Sequence, residues 1–143
     1  MKNEIEKQEG TFSMPEELSQ FQIATLANVK RDGWLLKNVT HQTPEICIAA
    51  VSNNGYAIAF VKNQTREICL AAVKQNGLAL QFVRMQTPEV CLAAVRQNGE
   101  ALLHVRRQTP EICVAAVKQN STAIRFVSPE LLKTGHLELK LCG

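Results

Sequence analysis

The chain has 143 residues, of which 45% are hydrophobic and 20% are charged, a composition that suits one small globular domain rather than a disordered chain. Its apolar runs reach only about six residues, far short of the roughly twenty that a membrane-spanning helix needs. The formal net charge of +3 and the pI of about 8.7 are too weakly basic to indicate nucleic-acid binding.

The first segment, residues 1–19, is an acidic leader with two lysines and five glutamates. Its opening residues, MKNEIEKQEG, lack the apolar core of a signal peptide, so we expect a cytoplasmic protein or one delivered without a conventional signal. The stretch SMPEELS, from Ser13 to Ser19, predicts a helix start that caps the next segment. Residues 20–129 carry twelve Lys and Arg against six Asp and Glu, a balance that favours an acidic partner.

Residues 20–129 are five copies of one 22-residue unit. Four copies begin at evenly spaced glutamines, namely Gln42, Gln64, Gln86 and Gln108. The same spacing leads back to Gln20, where QFQIATLANVKRDGWLLKNVTH keeps only the apolar and glycine pattern, as expected of a terminal unit. The predicted organisation is therefore a leader and cap over 1–19, a repeat domain over 20–129 and a C-terminal cap or tail over 130–143.

One unit, residues 42–63, shows why the repeat predicts helices. Thr43, Pro44 and Glu45 form a helix start, because Thr caps free N–H groups, Pro suits the first helical position and Glu favours the positive helix end. The run ICIAAV is apolar on every side and must be buried by neighbouring units. Asn54-Gly55 is expected to end the helix with a left-handed Gly, and GYAIAFV to form a shorter second helix at 100° per residue.

The predicted fold class is all-α, a short α-solenoid of about five helix-turn-helix repeats. Leucine-rich repeats have similar periods, but their strands need an L-x-L pattern. Here that place holds Ala-Ala after a Thr-Pro cap, and both features favour a helix. Beyond Pro129, ELLKT predicts one or two more helical turns, whereas the alternating HLELKLC is compatible with a strand or a frayed cap.

The segment TREICLAAVKQNGLAL, from Thr65 to Leu80, and its sister copies, which begin Thr-Pro, resemble a tandem-repeat family catalogued as a domain of unknown function. That family occurs in large arrays in protists, giant viruses and some intracellular bacteria. The resemblance is good over 42–129 and weak over 20–41, and Arg66 and Ser121 depart from the family's Pro and Gly. It implies a helical repeat and carries over no catalytic residue.

Four cysteines form a column with one member in each copy, namely Cys47, Cys69, Cys91 and Cys113. Zinc sites use cysteine pairs two to four residues apart, whereas a 22-residue spacing places these thiols on successive layers. We expect buried, reduced core residues that bind no metal, and no cofactor is predicted. His104 occupies a position that is Phe in its sister copies and is expected to be a partly buried ring.

The sequence contains no nucleophile elbow, phosphate loop or HExxH motif, so no catalytic residue is predicted, no small-molecule substrate is evident, and we expect a protein that is not an enzyme. Five basic residues form rows at equivalent positions: Lys74, Arg84, Arg96, Arg106 and Lys118. Such rows are typical of solvent-exposed faces whose basic side chains complement the negative end of the helix dipole. A functional alternative is that they bind nucleic acid or an acidic partner. The recurring glutamines are expected to bridge layers through their amides.

Core positions barely change between copies, whereas three positions of the second helix change freely. The variable side chains are expected to share one side of that helix and to bind a partner protein: Trp34, Lys37, Tyr56, Ala59, Leu78, Gln81, Met85, Glu100, Leu103 and Arg107. The resulting hypothesis is a non-enzymatic protein-binding scaffold with no membrane contact. Its more specific form is a pathogen or phage inhibitor of a host factor.

Overall fold

The computed structural model describes residues 19–135 and Leu137. The predictions for Ser13 to Leu18 and for HLELKLC other than Leu137 fall outside the described residues. The described residues form six α-helices, which run Gln20–Arg31 (α1), Pro44–Asn53 (α2), Arg66–Gln75 (α3), Pro88–Gln97 (α4), Pro110–Gln119 (α5) and Pro129–Lys133 (α6). The same part of the chain contains five 3₁₀ helices, which run Gly33–Asn38 (η1), Gly55–Phe60 (η2), Gly77–Phe82 (η3), Gly99–His104 (η4) and Ser121–Phe126 (η5).

Each α-helix and the 3₁₀ helix that follows it make one layer, numbered 1 to 5 from the N-terminal end. Within the described residues, each of α1 to α4 packs against the next α-helix, and each of η1 to η4 packs against the next 3₁₀ helix. The all-α solenoid predicted from the repeat is confirmed.

The predicted helix starts are confirmed at atomic level. Thr43 Oγ1 accepts a hydrogen bond from the Ile46 N–H at 3.3 Å, and Thr65, Thr87 and Thr109 cap their helices in the same way. The longer α1 begins with a capping box, in which Ser19 Oγ accepts from the Gln22 N–H while Gln22 Oε1 accepts from the Ser19 N–H. Each cap satisfies a backbone donor that the helix leaves free.

The second helix of each layer is a 3₁₀ helix, so the expected α-type rotation of 100° per residue is wrong there. A 3₁₀ helix turns once in three residues, so residues three apart lie directly above one another. Its N-cap is the recurring asparagine: Asn54 Oδ1 accepts from the Tyr56 N–H at 3.1 Å. The asparagine therefore connects the two helices as a single extended residue, with φ −145° and ψ 109°.

The expected left-handed glycine after each α-helix is also wrong, since among the described residues only Gly135 has a positive φ. Gly55 is required for another reason: a Cβ there would lie 2.5 Å from the carbonyl oxygen of Ala72 in the next layer. Glycine thus allows two layers to approach closely. Ser121 stands at the equivalent place in layer 5, where it is exposed.

The predicted bridging by glutamine amides is confirmed. Gln64 Nε2 donates to the Ile58 carbonyl of the preceding layer at 3.1 Å and to the Phe82 carbonyl of its own layer at 3.0 Å, and Gln86 reaches the Leu80 and His104 carbonyls in the same way. The bond to the end of the glutamine's own layer, and a bond from the N–H two residues further on to Oε1, recur at Gln42, Gln64, Gln86 and Gln108. A second amide column, absent from the sequence predictions, joins the layers as well: Gln75, Gln97 and Gln119 accept from the N–H groups of Gly55, Gly77 and Gly99.

Candidate functional site

The most variable side chains lie along the stacked 3₁₀ helices. The first two variable sets occupy the second and fifth positions of each helix, three residues apart, so 3₁₀ geometry places them on one face. We call this face the variable ridge, formed by Trp34, Lys37, Tyr56, Ala59, Leu78, Gln81, Glu100, Leu103, Thr122 and Arg125. It is at least partly exposed along its whole length.

Aromatic pairs connect the first layers of the ridge. The Trp34 ring meets the Phe60 ring edge to face, with centroids 5.6 Å apart and an interplanar angle of 66°. One layer further on, Tyr56 meets Phe82 at 5.9 Å and 86°. Such pairs contribute about 0.5–1.5 kcal/mol beyond the burial of their area. The aromatic end of the ridge therefore extends to Phe60 and Phe82, which the sequence analysis had not included in the surface.

The later layers of the ridge are polar and charged. Gln81 Nε2 folds back onto the Leu78 carbonyl at 3.1 Å. Glu100 lies 3.8 Å from an Arg125 guanidinium nitrogen, and the Arg125 Cζ sits 4.7 Å from the centroid of the Phe126 ring. Leu78 and Leu103 are the apolar exceptions, and Leu103 has 59% of its surface exposed. The ridge thus changes from aromatic to charged along the array.

Met85 and Arg107 do not belong to the 3₁₀ face with which the sequence analysis grouped them. Each follows the end of a 3₁₀ helix and lies in the bend that leads to the next α-helix. Met85 is 82% exposed, and Arg107 is exposed too. The candidate residues therefore form two surfaces, the variable ridge and the bends.

Two clefts open between neighbouring layers at these bends, and we call them the bend clefts. The first, of 300 Å³, lies between layers 2 and 3, and the second, of 310 Å³, lies between layers 4 and 5. Both are lined by residues at the same positions of the repeat. In the first these are Gln42, Pro44, Cys47, Lys62, Asn63, Thr65 and Ile68, and in the second Gln86, Pro88, Cys91, Arg106, Arg107, Thr109 and Ile112.

One basic row has a structural role. Arg84 donates to the carbonyls of Lys62 and Val61, both at 2.9 Å, and Arg106 donates to the Arg84 carbonyl at 2.8 Å. Lys62 Nζ reaches the Thr40 carbonyl in the same way. These cations join each bend to the preceding one, so their donors are partly engaged by the backbone.

The other basic row, Lys74, Arg96 and Lys118, is exposed at the last turns of α3, α4 and α5. Carboxylates lie nearby. Glu111 lines a cleft of 420 Å³ together with Arg96 and Lys118. Lys74 is one of the cations that lower the pKa of Glu89, although the main cause is the hydrogen bond from Arg66. This row is therefore part of a face of mixed charge.

Arg66, which replaces the usual proline, forms an exposed fork with Glu89 in the next layer. Its Nε and one terminal nitrogen each lie 2.7 Å from a Glu89 oxygen. The paired carboxylate raises the pKa of Arg66, and the guanidinium lowers that of Glu89. Arg66 therefore lacks the fixed backbone angle with which proline favours a helix start, but it gains an ion pair with the next layer.

The cysteine column is buried, as predicted. Cys47, Cys91 and Cys113 each donate a weak hydrogen bond to the bridging glutamine of their own layer, with Sγ to Oε1 distances of 3.5–3.8 Å. Burial raises the pKa of all four thiols, and that of Cys113 to about 11. A raised thiol pKa keeps the group neutral and poorly nucleophilic. The expected partly buried ring of His104 is also confirmed.

Within residues 19–135, no group of three or more His, Cys, Asp or Glu side chains converges as a metal site would require. None of the helices in the described part of the chain combines the length and apolar character needed to cross a membrane.

This geometry defines a helical repeat protein whose layers each pair an α-helix with a 3₁₀ helix. The chain belongs to the family described as Domain of unknown function (DUF4116), which matches residues 43–86, 65–108 and 87–132. Each match begins at a capping threonine and extends over about two layers, and together they cover more than half of the chain. Comparison with curated proteins and with solved structures gave no match.

Proposed function

We propose that the protein is a non-enzymatic scaffold that binds a partner protein through the variable ridge. The observation that carries the proposal is the position of the exposed apolar side chains. Trp34, 44% exposed, and Leu103 lie on the part of the repeat that differs most between layers. A surface of side chains that the fold does not require is available for recognition, and aromatic anchors dominate many protein interfaces.

The aromatic end of the ridge is the better candidate for the binding site. Trp34 and Tyr56 are held by edge-to-face contacts with Phe60 and Phe82, so little side-chain freedom remains to be lost on binding. The basic rows have the weaker case, because Arg84 and Arg106 bind backbone carbonyls and Arg96 and Lys118 share a cleft with Glu111. Nothing in the ridge favours the more specific hypothesis of a host-factor inhibitor.

Two variants in one layer test the proposal with equal charge changes. Ala59→Arg places a long side chain on the ridge, whereas Ser52→Arg places the same side chain on the exposed surface of α2. Both start from exposed positions, so both proteins should keep the wild-type melting temperature. Proteins retained by the wild type in quantitative affinity purification should be lost with Ala59→Arg and kept with Ser52→Arg.

A partner identified in this way allows the anchor itself to be measured. Trp34→Ala should weaken binding at least about tenfold by titration calorimetry, since buried aromatic anchors commonly contribute about 2 kcal/mol or more. The variant should also lower the melting temperature modestly, because the contact with Phe60 is lost. Equal retention by the Ala59→Arg and Ser52→Arg proteins, or unchanged affinity of Trp34→Ala, would refute the ridge as the binding site.

A further inference from the structure

The bend clefts combine a constant floor with a variable rim. The floor positions repeat between layers. The glutamine and the cysteine are identical in all four clear copies, and the residue before the cysteine is Ile or Val. The rim position does not repeat, because it is His41, Asn63, Met85 and Arg107 in successive bends. The bends are therefore a second surface, separate from the variable ridge, on which side chains differ between layers.

The charge at the two clefts has one sign. Lys62 lines the first, and both Arg106 and Arg107 line the second. No carboxylate is among the side chains that line either cleft, whereas Glu111 lines the separate cleft beside Arg96. Lys62 and Arg106 donate to carbonyls but keep their charge, and Arg107 is exposed. The charges complement an anionic occupant.

The spacing of the layers sets the form of that occupant. Packed helices lie about 8–10 Å apart, and an extended chain advances about 3.3 Å per residue. The two bend clefts are two layers apart, so an extended segment that crosses the layers reaches the second cleft about five or six residues after the first. An apolar side chain can enter above Cys47 or Cys91, while acidic residues between the anchors face the cationic rims.

We propose that the bend clefts bind an extended acidic segment of a partner protein, with one apolar side chain in each cleft. This site is separate from the variable ridge, and each can be disproved without the other. A scaffold that uses both would hold a folded surface on the ridge and a flexible acidic segment along the bends.

A labelled peptide tests the proposal on the full chain. The probe is a fluorescein-labelled peptide of four Asp-Leu-Thr repeats, read by fluorescence anisotropy. Two matched probes carry Lys-Leu-Thr and Asp-Ser-Thr repeats, which remove the acidic charge and the apolar anchor in turn. The Asp-Leu-Thr peptide should bind at least about tenfold more tightly than either, and its affinity should fall as salt rises.

Two double variants with the same change of net charge locate the site. Asn63→Glu with Arg107→Glu makes the rims of both clefts acidic, and Ser52→Glu with Lys133→Glu makes the same charge change on exposed surfaces outside the clefts and the ridge. The rim variant should lose about tenfold in affinity for the Asp-Leu-Thr peptide, and the control should lose less than about twofold. Ala59→Arg on the ridge should bind the peptide as the wild type does.

Several results would overturn the proposal. Equal binding of the Lys-Leu-Thr or Asp-Ser-Thr peptide would show that charge or anchor is not recognised. Loss of binding in Ala59→Arg would move the peptide to the ridge, and equal losses in the two double variants would reduce the effect to net charge. Tighter binding of a single-stranded thymidine 12-mer, displaced by the peptide, would assign the clefts to nucleic acid.

Discussion

Layers 2 to 4 and layer 5 share one sequence pattern but not one environment. Ile58, Leu80 and Leu102 are fully buried, whereas Ile124, at the equivalent place in layer 5, is 40% exposed. The side chains are alike, so the difference comes from the layer that follows each of the first three. A unit does not bury its own core, and the burial is a property of the stack.

The same contrast appears in the backbone. Gly33, Gly55, Gly77 and Gly99 all face a backbone carbonyl of the next layer at a distance that leaves no room for a Cβ. Ser121 breaks the glycine column in the layer whose equivalent face is exposed. Close stacking therefore imposes glycine on an inner layer, and the requirement ends where the stacking ends.

The largest expected effect comes from one truncation made in each environment. Leu80→Ala leaves a cavity between layers 3 and 4 and should destabilise the protein by about 2–5 kcal/mol. Ile124→Ala should cost about 1 kcal/mol or less, because water already reaches that side chain and apolar burial there is incomplete. Urea unfolding followed by circular dichroism measures both. Equal costs would mean that layer 5 is covered as completely as layer 3.

A smaller effect is expected from exchanging glycine and serine. Gly77→Ser would press a Cβ against the Ala94 carbonyl, with Gln97 Oε1 at 3.0 Å and the Asn98 N at 3.1 Å. Overpacking of this kind costs about 1–3 kcal/mol. Ser121→Gly, the reverse exchange, should cost less than about 1 kcal/mol through backbone entropy alone. The comparison fails if Gly77→Ser is no more destabilising than Ser121→Gly.

Much of this fold followed from residues that act locally. Threonine caps, the proline after them and the apolar run of each α-helix predict the first helix without knowledge of the stack. The recurring glutamines predicted the amide bridges, because a polar side chain repeated beside a core needs a partner in each layer. The glutamines at the helix ends gave the same signal, as Gln75, Gln97 and Gln119 are also spaced by 22 residues.

The features that sequence analysis missed depend on the contact between layers. Ala57, Ile58 and Val61 fit one face of either an α- or a 3₁₀ helix, so their spacing does not distinguish the two. The recurring glycine indicates a position that excludes larger residues, but it does not show whether the cause is a left-handed turn or a neighbouring carbonyl. The grouping of Met85 and Arg107 with the ridge failed because it continued α-helical rotation past Phe82 and His104, where the 3₁₀ helices end.

The smallest effect concerns the cysteines and has no consequence at neutral pH. Burial raises the pKa of Cys69 and Cys91, and the nearby Arg84 and Arg106 oppose the rise. Layer 5 has Ser128 where those arginines stand, and the pKa of Cys113 is raised from 9.0 to about 11. The Ser128 N–H and the Cys113 thiol share Gln108 Oε1 as acceptor, at 2.8 and 3.5 Å.

Ser128→Arg should therefore lower the pKa of Cys113 toward its ordinary value. A thiol whose folded-state pKa is raised contributes stability that is complete below pH 9 and is lost as the pH rises through about 11, because the unfolded chain releases the proton first. The variant should unfold like the wild type at pH 7 and lose less stability than the wild type between pH 9 and 11, as measured by urea titration at each pH. Cys113→Ala is the control, since without that thiol the added arginine has nothing to act on. If Ser128→Arg flattens the alkaline slope equally in the Cys113→Ala background, the arginine acts on another group, and Arg84 and Arg106 do not explain how Cys69 and Cys91 differ from Cys113.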